Sequence, residues 1–210
     1  MNALQCEFFK SAFRRYMLSP KFIELKNVRA SASVLVERVR VEAKKNTPSL
    51  EVISDLRQFM CDVVALSFGI HVEANRFYKN CSVDVWSVMS NVVNTKNENE
   101  RIRLLTGLYG VGVKTATYIL SVIYPSSWGY VADPGIYYSA HIGFVQWEKN
   151  YFQIISSDDA IEVNQALLKI SKQTGIEVAD LSSAMFVLFF YAYKNGFRSG
   201  TGKKYGVGYE

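Results

Sequence analysis

Apolar residues recur along this chain at intervals of three and four rather than two, and those intervals predict helices almost throughout. Over 4–16 they set Phe8, Phe9, Ala12 and Phe13 on one side. Over 33–45, Leu35, Val39 and Ala43 repeat every four residues; the alternation Val39-Arg40-Val41 suits a strand, and the longer repeat favours helix. Pro48 and Ser49 open a helix that runs through Leu66, with Ile53, Leu56, Phe59, Met60 and Val63 inward and Gly69 as its stop. Another spans 83–93 and carries Trp86 and Met89. The polar run 94–99 is a loop, in which Asn97 and Glu100 have the spacing of a capping box ahead of a helix over 101–106. Two more helices are expected at 160–172, stopped by Gly175, and at 181–194, with Asp180 as N-cap and Gly196 as stop. The last is apolar nearly all round from Met185 to Tyr191, which predicts burial. The pattern is that of an all-α protein.

Composition narrows this further. At 210 residues, with 49% hydrophobic residues and only 4 Pro and 13 Gly, the chain has enough apolar surface to fold and is neither disordered nor collagenous. Its longest nearly unbroken apolar stretch, 184–193, falls far short of the ~20 residues of a membrane span, and residues 1–10 lack a signal-peptide core. A soluble, cytoplasmic monomer with no membrane partner is expected. Cys6, Cys61 and Cys81 form no CxxC, so the expectation is small buried thiols, with no structural zinc and no iron–sulfur cluster. His71 and His141 are too few for a multi-histidine metal site. A net charge of +5 permits a polyanionic partner without requiring one. Residues 199–210 hold four glycines with Lys203 and Lys204 and read as a flexible tail, which leaves 1–198 as one unit.

The chemistry concentrates in 101–141. Two predicted helices flank Leu108-Tyr109-Gly110-Val111-Gly112, where glycine permits positive φ and close approach of another backbone or a phosphate. The second helix starts at once, so its unpaired N–H groups and positive dipole end form an anion site at Gly110, Val111, Gly112 and Val113. Val113, Ala116, Leu120 and Ile123 make the inward stripe of that helix, which sets Lys114, Tyr118 and Ser121 on an accessible face. Plainer readings stand beside these: an interhelical turn, an exposed lysine, and core roles for Trp86, Trp128, Trp147 and the 186–190 aromatic run.

The run Leu108-Tyr109-Gly110-Val111-Gly112-Val113-Lys114-Thr115-Ala116 resembles the helix–hairpin–helix of the endonuclease III and 8-oxoguanine DNA glycosylase superfamily. That hairpin reads roughly Leu-Pro-Gly-Val-Gly-x-Lys-x-Ala, and Asp133 stands nineteen positions beyond Lys114, followed by Pro134 as a favoured first helical residue. The likeness covers 101–141; the run 174–181 is similar to a small bacterial and archaeal subgroup, and the first ninety residues carry no specific likeness. Tyr109 stands in place of the usual Pro, Gly135 where His or Arg often assists DNA contact, and the cluster cysteines are absent. The resemblance implies a two-lobed helical bundle with the hairpin, within 101–124, at the cleft between lobes. It implies a DNA glycosylase acting on double-stranded DNA with a damaged base, an oxidised purine such as 8-oxoguanine first, with AP lyase activity. Lys114 is then the Schiff-base nucleophile, and Asp133, also a helix cap, stabilises the cation-like sugar. No organic cofactor is implied; the family hairpin often holds a monovalent cation through carbonyls, here Thr106, Leu108 and Val111. A non-catalytic DNA-binding module and a protein-interaction module are the alternatives.

Overall fold

The structure is a computed structural model that describes residues 3–45, 47–67, 71–131, 135 and 156–194. The described residues are all-helical. The order is α1 (Ala3–Met17), α2 (Pro20–Glu42), α3 (Leu50–Leu66), α4 (His71–Phe77), α5 (Ser82–Asn94), α6 (Glu98–Thr106), α7 (Val113–Ile123), α8 (Ser157–Thr174) and α9 (Val178–Lys194). No helix among the described residues is long and apolar enough to cross a membrane. Asp133, Pro134, His141, Trp147, Gly69, Gly196 and the tail with Lys203 and Lys204 lie outside the described residues.

Local chemistry accounts for most boundaries. Ser19 caps α2 by accepting a hydrogen bond from Phe22 N at 3.3 Å, with Pro20 in the first helical position. Of the stretch 33–45, where a strand was the alternative, 33–42 is the second half of this single 23-residue helix and 43–45 lie beyond its end. Ser49 caps α3, and Gly175 ends α8 in the left-handed conformation at φ 72°. At α6, Asn97 accepts from Glu100 N, but Glu100 turns its carboxylate to Arg103 at 2.5 Å rather than back to the cap. Only half of the expected capping box is made. Asp180 is not an N-cap: α9 starts two residues earlier, and Asp180 pairs with Arg29 of α2, both side chains being nearly buried. The thiols also depart from expectation, since Cys81 is exposed and caps α5 while Cys61 alone is fully buried.

The core is organised around α7, which touches α2, α3, α6, α8 and α9. Every residue of 115–123 is buried. Tyr118 and Ser121, placed by the stripe on an accessible face, are therefore core residues, at 1% and 2% exposure. Thr117 donates to Lys114 O at 2.8 Å and Ser121 to Tyr118 O at 2.7 Å, so their hydroxyls are satisfied within the helix and cost little to bury. Tyr118 meets the Tyr130 ring edge-on at 5.2 Å, and burial drives its phenol well above the usual range. The chain leaves α7 and returns through the interior as 128–131, all buried. Gly129 N donates to Asn164 Oδ1 at 2.9 Å, Tyr130 N to Ser182 Oγ at 2.7 Å and Val131 N to Thr117 Oγ1 at 3.3 Å. Gly129 is required there: a Cβ would stand 2.9 Å from Leu167 Cδ1 and 3.2 Å from Val178 O. Helix α9 packs against α1 and is buried over 181–186; of the run 185–191 expected to be buried, Met185, Phe186 and Phe189 are, while Val187 and Leu188 are half-buried.

Candidate nucleic-acid interface at the hairpin

Helix α6 and helix α7 are joined by a turn over 107–112. Leu105, Leu108 and Val111 are buried and anchor the turn to the core, while Tyr109, at 54% exposure, stands at its tip. The two glycines do different work. Gly110 has φ 83°, a conformation L side chains rarely adopt, and Val111 N closes the turn onto Leu108 O at 3.1 Å. Gly112 has φ −88° and ψ 176°, ordinary extended backbone, and a Cβ there would meet nothing within 4 Å. Nothing among the described residues requires glycine at 112.

Gly112 is the N-cap of α7 and provides no side-chain cap. The helix ladder begins with Ala116 N to Gly112 O at 2.9 Å, so the N–H groups of Val113, Lys114 and Thr115 precede it at the positive end of the helix dipole. Lys114 is half-buried in this first turn. Thr106, the last residue of α6, is half-buried and its hydroxyl donates to Arg103 O at 3.0 Å. Of the three carbonyls named for a cation, that of Leu108 already accepts the Val111 N–H. Among the described residues no group of three or more His, Cys, Asp and Glu side chains forms a metal site.

A clamp on the hairpin escaped the reading of the sequence. Asn80, buried in the α4–α5 connection, donates to Tyr109 O at 2.9 Å and to Phe77 O at 2.7 Å, and accepts from Tyr109 N at 2.9 Å. Arg57 of α3 braces the same connection, donating to Asn80 O at 3.0 Å and Tyr78 O at 2.8 Å. The clamp needs an N–H at position 109, which a proline there would lack. Lys79 Nζ lies 5.9 Å from the Tyr109 ring centre, which brings a cation to the tip. Other nearby cations are committed to the fold: Arg101 stacks on Tyr124 at 4.4 Å and donates to Thr95 O, and Arg103 pairs with Glu100.

Gly135 is buried against α9, where a Cβ would meet Phe186 N at 3.1 Å and its Cα at 3.2 Å. A long basic side chain has no room at that position. Comparison with known proteins finds no matching family, no matching curated protein and no matching solved structure.

Proposed function

We propose that the hairpin holds the sugar–phosphate backbone of double-stranded DNA, and that the chain is a DNA glycosylase with an AP lyase step. The observation that carries this reading is Gly112: a glycine at an uncapped helix N-terminus, where no atom of the described residues stands within 4 Å of a would-be Cβ, which leaves space for a phosphate. Such contacts position a duplex without reading its bases. In the proposal the helices form two lobes with the hairpin at the mouth of the cleft between them. The target nucleotide, an oxidised purine in the first instance, leaves the base stack to be reached.

Asp133 stabilises the positive charge that develops on the sugar as the glycosidic bond breaks. The amine of Lys114 bonds to C1′ while the base departs with the electron pair and takes up a proton. The sugar ring then opens to an iminium, and loss of a C2′ proton expels the 3′ phosphate. Carbonyls of Thr106, Leu108 and Val111, with no carboxylate among them, suit a monovalent rather than a divalent cation, which would brace the turn. No organic cofactor takes part.

Borohydride treatment of the protein with duplexes carrying oxidised purines should give a covalent adduct that survives denaturing electrophoresis and is lost in Lys114→Gln. Asp133→Asn should slow base release. Gly112→Ala should fold normally and bind duplex DNA roughly tenfold or more weakly, the loss expected for a contact to a charged group. Unchanged affinity in Gly112→Ala would refute the hairpin as the DNA contact. The tightness around Gly135 favours a second reading, a duplex-binding module without catalysis, because the basic side chain that assists DNA contact in the family has no room. Salt-dependent duplex binding with no adduct on any lesion would select it.

A further inference from the structure

Helix α2 carries apolar residues on two opposite faces. Leu25, Ala32, Leu35, Val36 and Val39 are buried against the core. On the other side Ile23, Asn27, Ala30, Val34, Glu37 and Val41 are all exposed, with Ile23 at 60%, Val34 at 65% and Val41 at 50%. Their spacing alternates four and three, the heptad seam of a coiled coil, with no helix among the described residues on it. Beside the seam a groove of about 340 Å³ between α2 and α3 is lined by Val34, Val41 and Val52 and rimmed by Glu37, Arg38 and Glu42.

We infer that this face pairs with the same face of a second copy of the chain, the two α2 helices running antiparallel about a two-fold axis at the level of Ala32. The seam is self-complementary in that register. Ile23 falls opposite Val41 of the second copy, Ala30 opposite Val34, and Asn27 opposite Glu37, so apolar layers meet apolar layers and an amide meets a carboxylate. A parallel pair would set Glu37 against Glu37, like charges within the contact, and in either arrangement Glu37 also pairs with its own Arg40 at 3.2 Å. An antiparallel pair also opposes the two helix dipoles. A partner without two-fold symmetry would have no need of a sequence that matches itself end to end.

The seam spans about 27 Å at 1.5 Å per residue. A contact of that length lies below the roughly 1,200–2,000 Å² buried in standard interfaces, so the dimer is concentration-dependent rather than permanent. It replaces the monomer expected from the sequence. The hairpin is on other helices, so the pairing is independent of the DNA reading.

Sedimentation velocity from about 1 to 100 µM should show a monomer–dimer equilibrium. Each substitution counts twice in a two-fold dimer, so Val34→Lys should weaken association at least about a hundredfold with unchanged helicity. Register is read by disulfide trapping in a Cys81→Ser background, which removes the exposed native thiol. Mixing Asn27→Cys protein with Glu37→Cys protein should give the mixed disulfide, and neither alone should cross-link. A disulfide within the Asn27→Cys protein alone would overturn the antiparallel register. A monomer throughout the range, or a dimer indifferent to Val34→Lys, would overturn the pairing and leave the face to a different protein.

Discussion

Replacing Asn80 with alanine removes three hydrogen bonds at once, two to the backbone of Tyr109 and one to Phe77 O. Each contributes a net of about 0.5–1.5 kcal/mol, so the upper limit is about 4.5 kcal/mol. Tyr109 is half exposed, and water recovers part of what its N–H and C=O lose. We expect a destabilisation of about 2–3 kcal/mol, which for a chain of this size lowers the melting temperature by roughly 4–12 °C. The Arg57 bonds go to backbone carbonyls and survive the change, so the loss reports on the hairpin. Asn80→Asp sharpens the test. It keeps the size and the acceptor for Tyr109 N, but sets a charged oxygen against Phe77 O and Tyr109 O where the amide had donated. At neutral pH this variant should be less stable than Asn80→Ala, and should recover as pH falls and the introduced carboxylate is protonated. Urea denaturation gives the order of stabilities, and amide exchange at Tyr109 shows whether the turn has loosened. An Asn80→Asp protein as stable as Asn80→Ala at neutral pH, or unaltered exchange at Tyr109 in the alanine variant, would refute the clamp.

Gly110→Ala, at φ 83°, should cost about 1–2 kcal/mol in thermal or urea melts, whereas Gly112→Ala should cost almost nothing. Arg29→Met strands the buried Asp180 carboxylate and should destabilise by about 3–5 kcal/mol, while the double variant Arg29→Met/Asp180→Leu should recover most of that. Burial already holds the Asp180 carboxyl above its usual range, against the pull of Arg29. Native protein therefore takes up its proton at higher pH than unfolded chain, and the Arg29→Met deficit should shrink on going from pH 7 to about pH 4.5, measured by urea melts at both. Cys81→Ser offers Asp84 N a better acceptor than the thiol at 3.4 Å and should raise stability by up to about 1 kcal/mol.

The all-helical character was legible because the apolar spacing of α3 and α5 largely agrees with what each helix buries. Helix α4 was not, since seven residues are too few for a periodic pattern to show. The front half of α2 was missed although Ser19-Pro20 is a sound start signal; with apolar residues on both faces no single stripe stands out. At α7 the stripe misled, because serine and threonine that bond back to their own helix behave as small core residues. Of the candidate site, the turn and the start of α7 followed from two glycines in adjacent positions of one motif. The Asn80 clamp did not, because it reaches Tyr109 across 29 residues and nothing in the local sequence marks it.

The pairing of α1 with α9 has a consequence during synthesis. Phe9, Ala12 and Tyr16 are nearly or fully covered in the finished protein, in good part by a helix that begins about 160 residues later. At about 5–20 residues per second, the ribosome leaves that aromatic face without its final cover for roughly 8–30 s. Helix α1, made well before α9, is thus among the last to be sealed. A ribosome stalled before α9 would display a sticky aromatic flank to chaperones, and a nascent chain of this protein should be recognised through it.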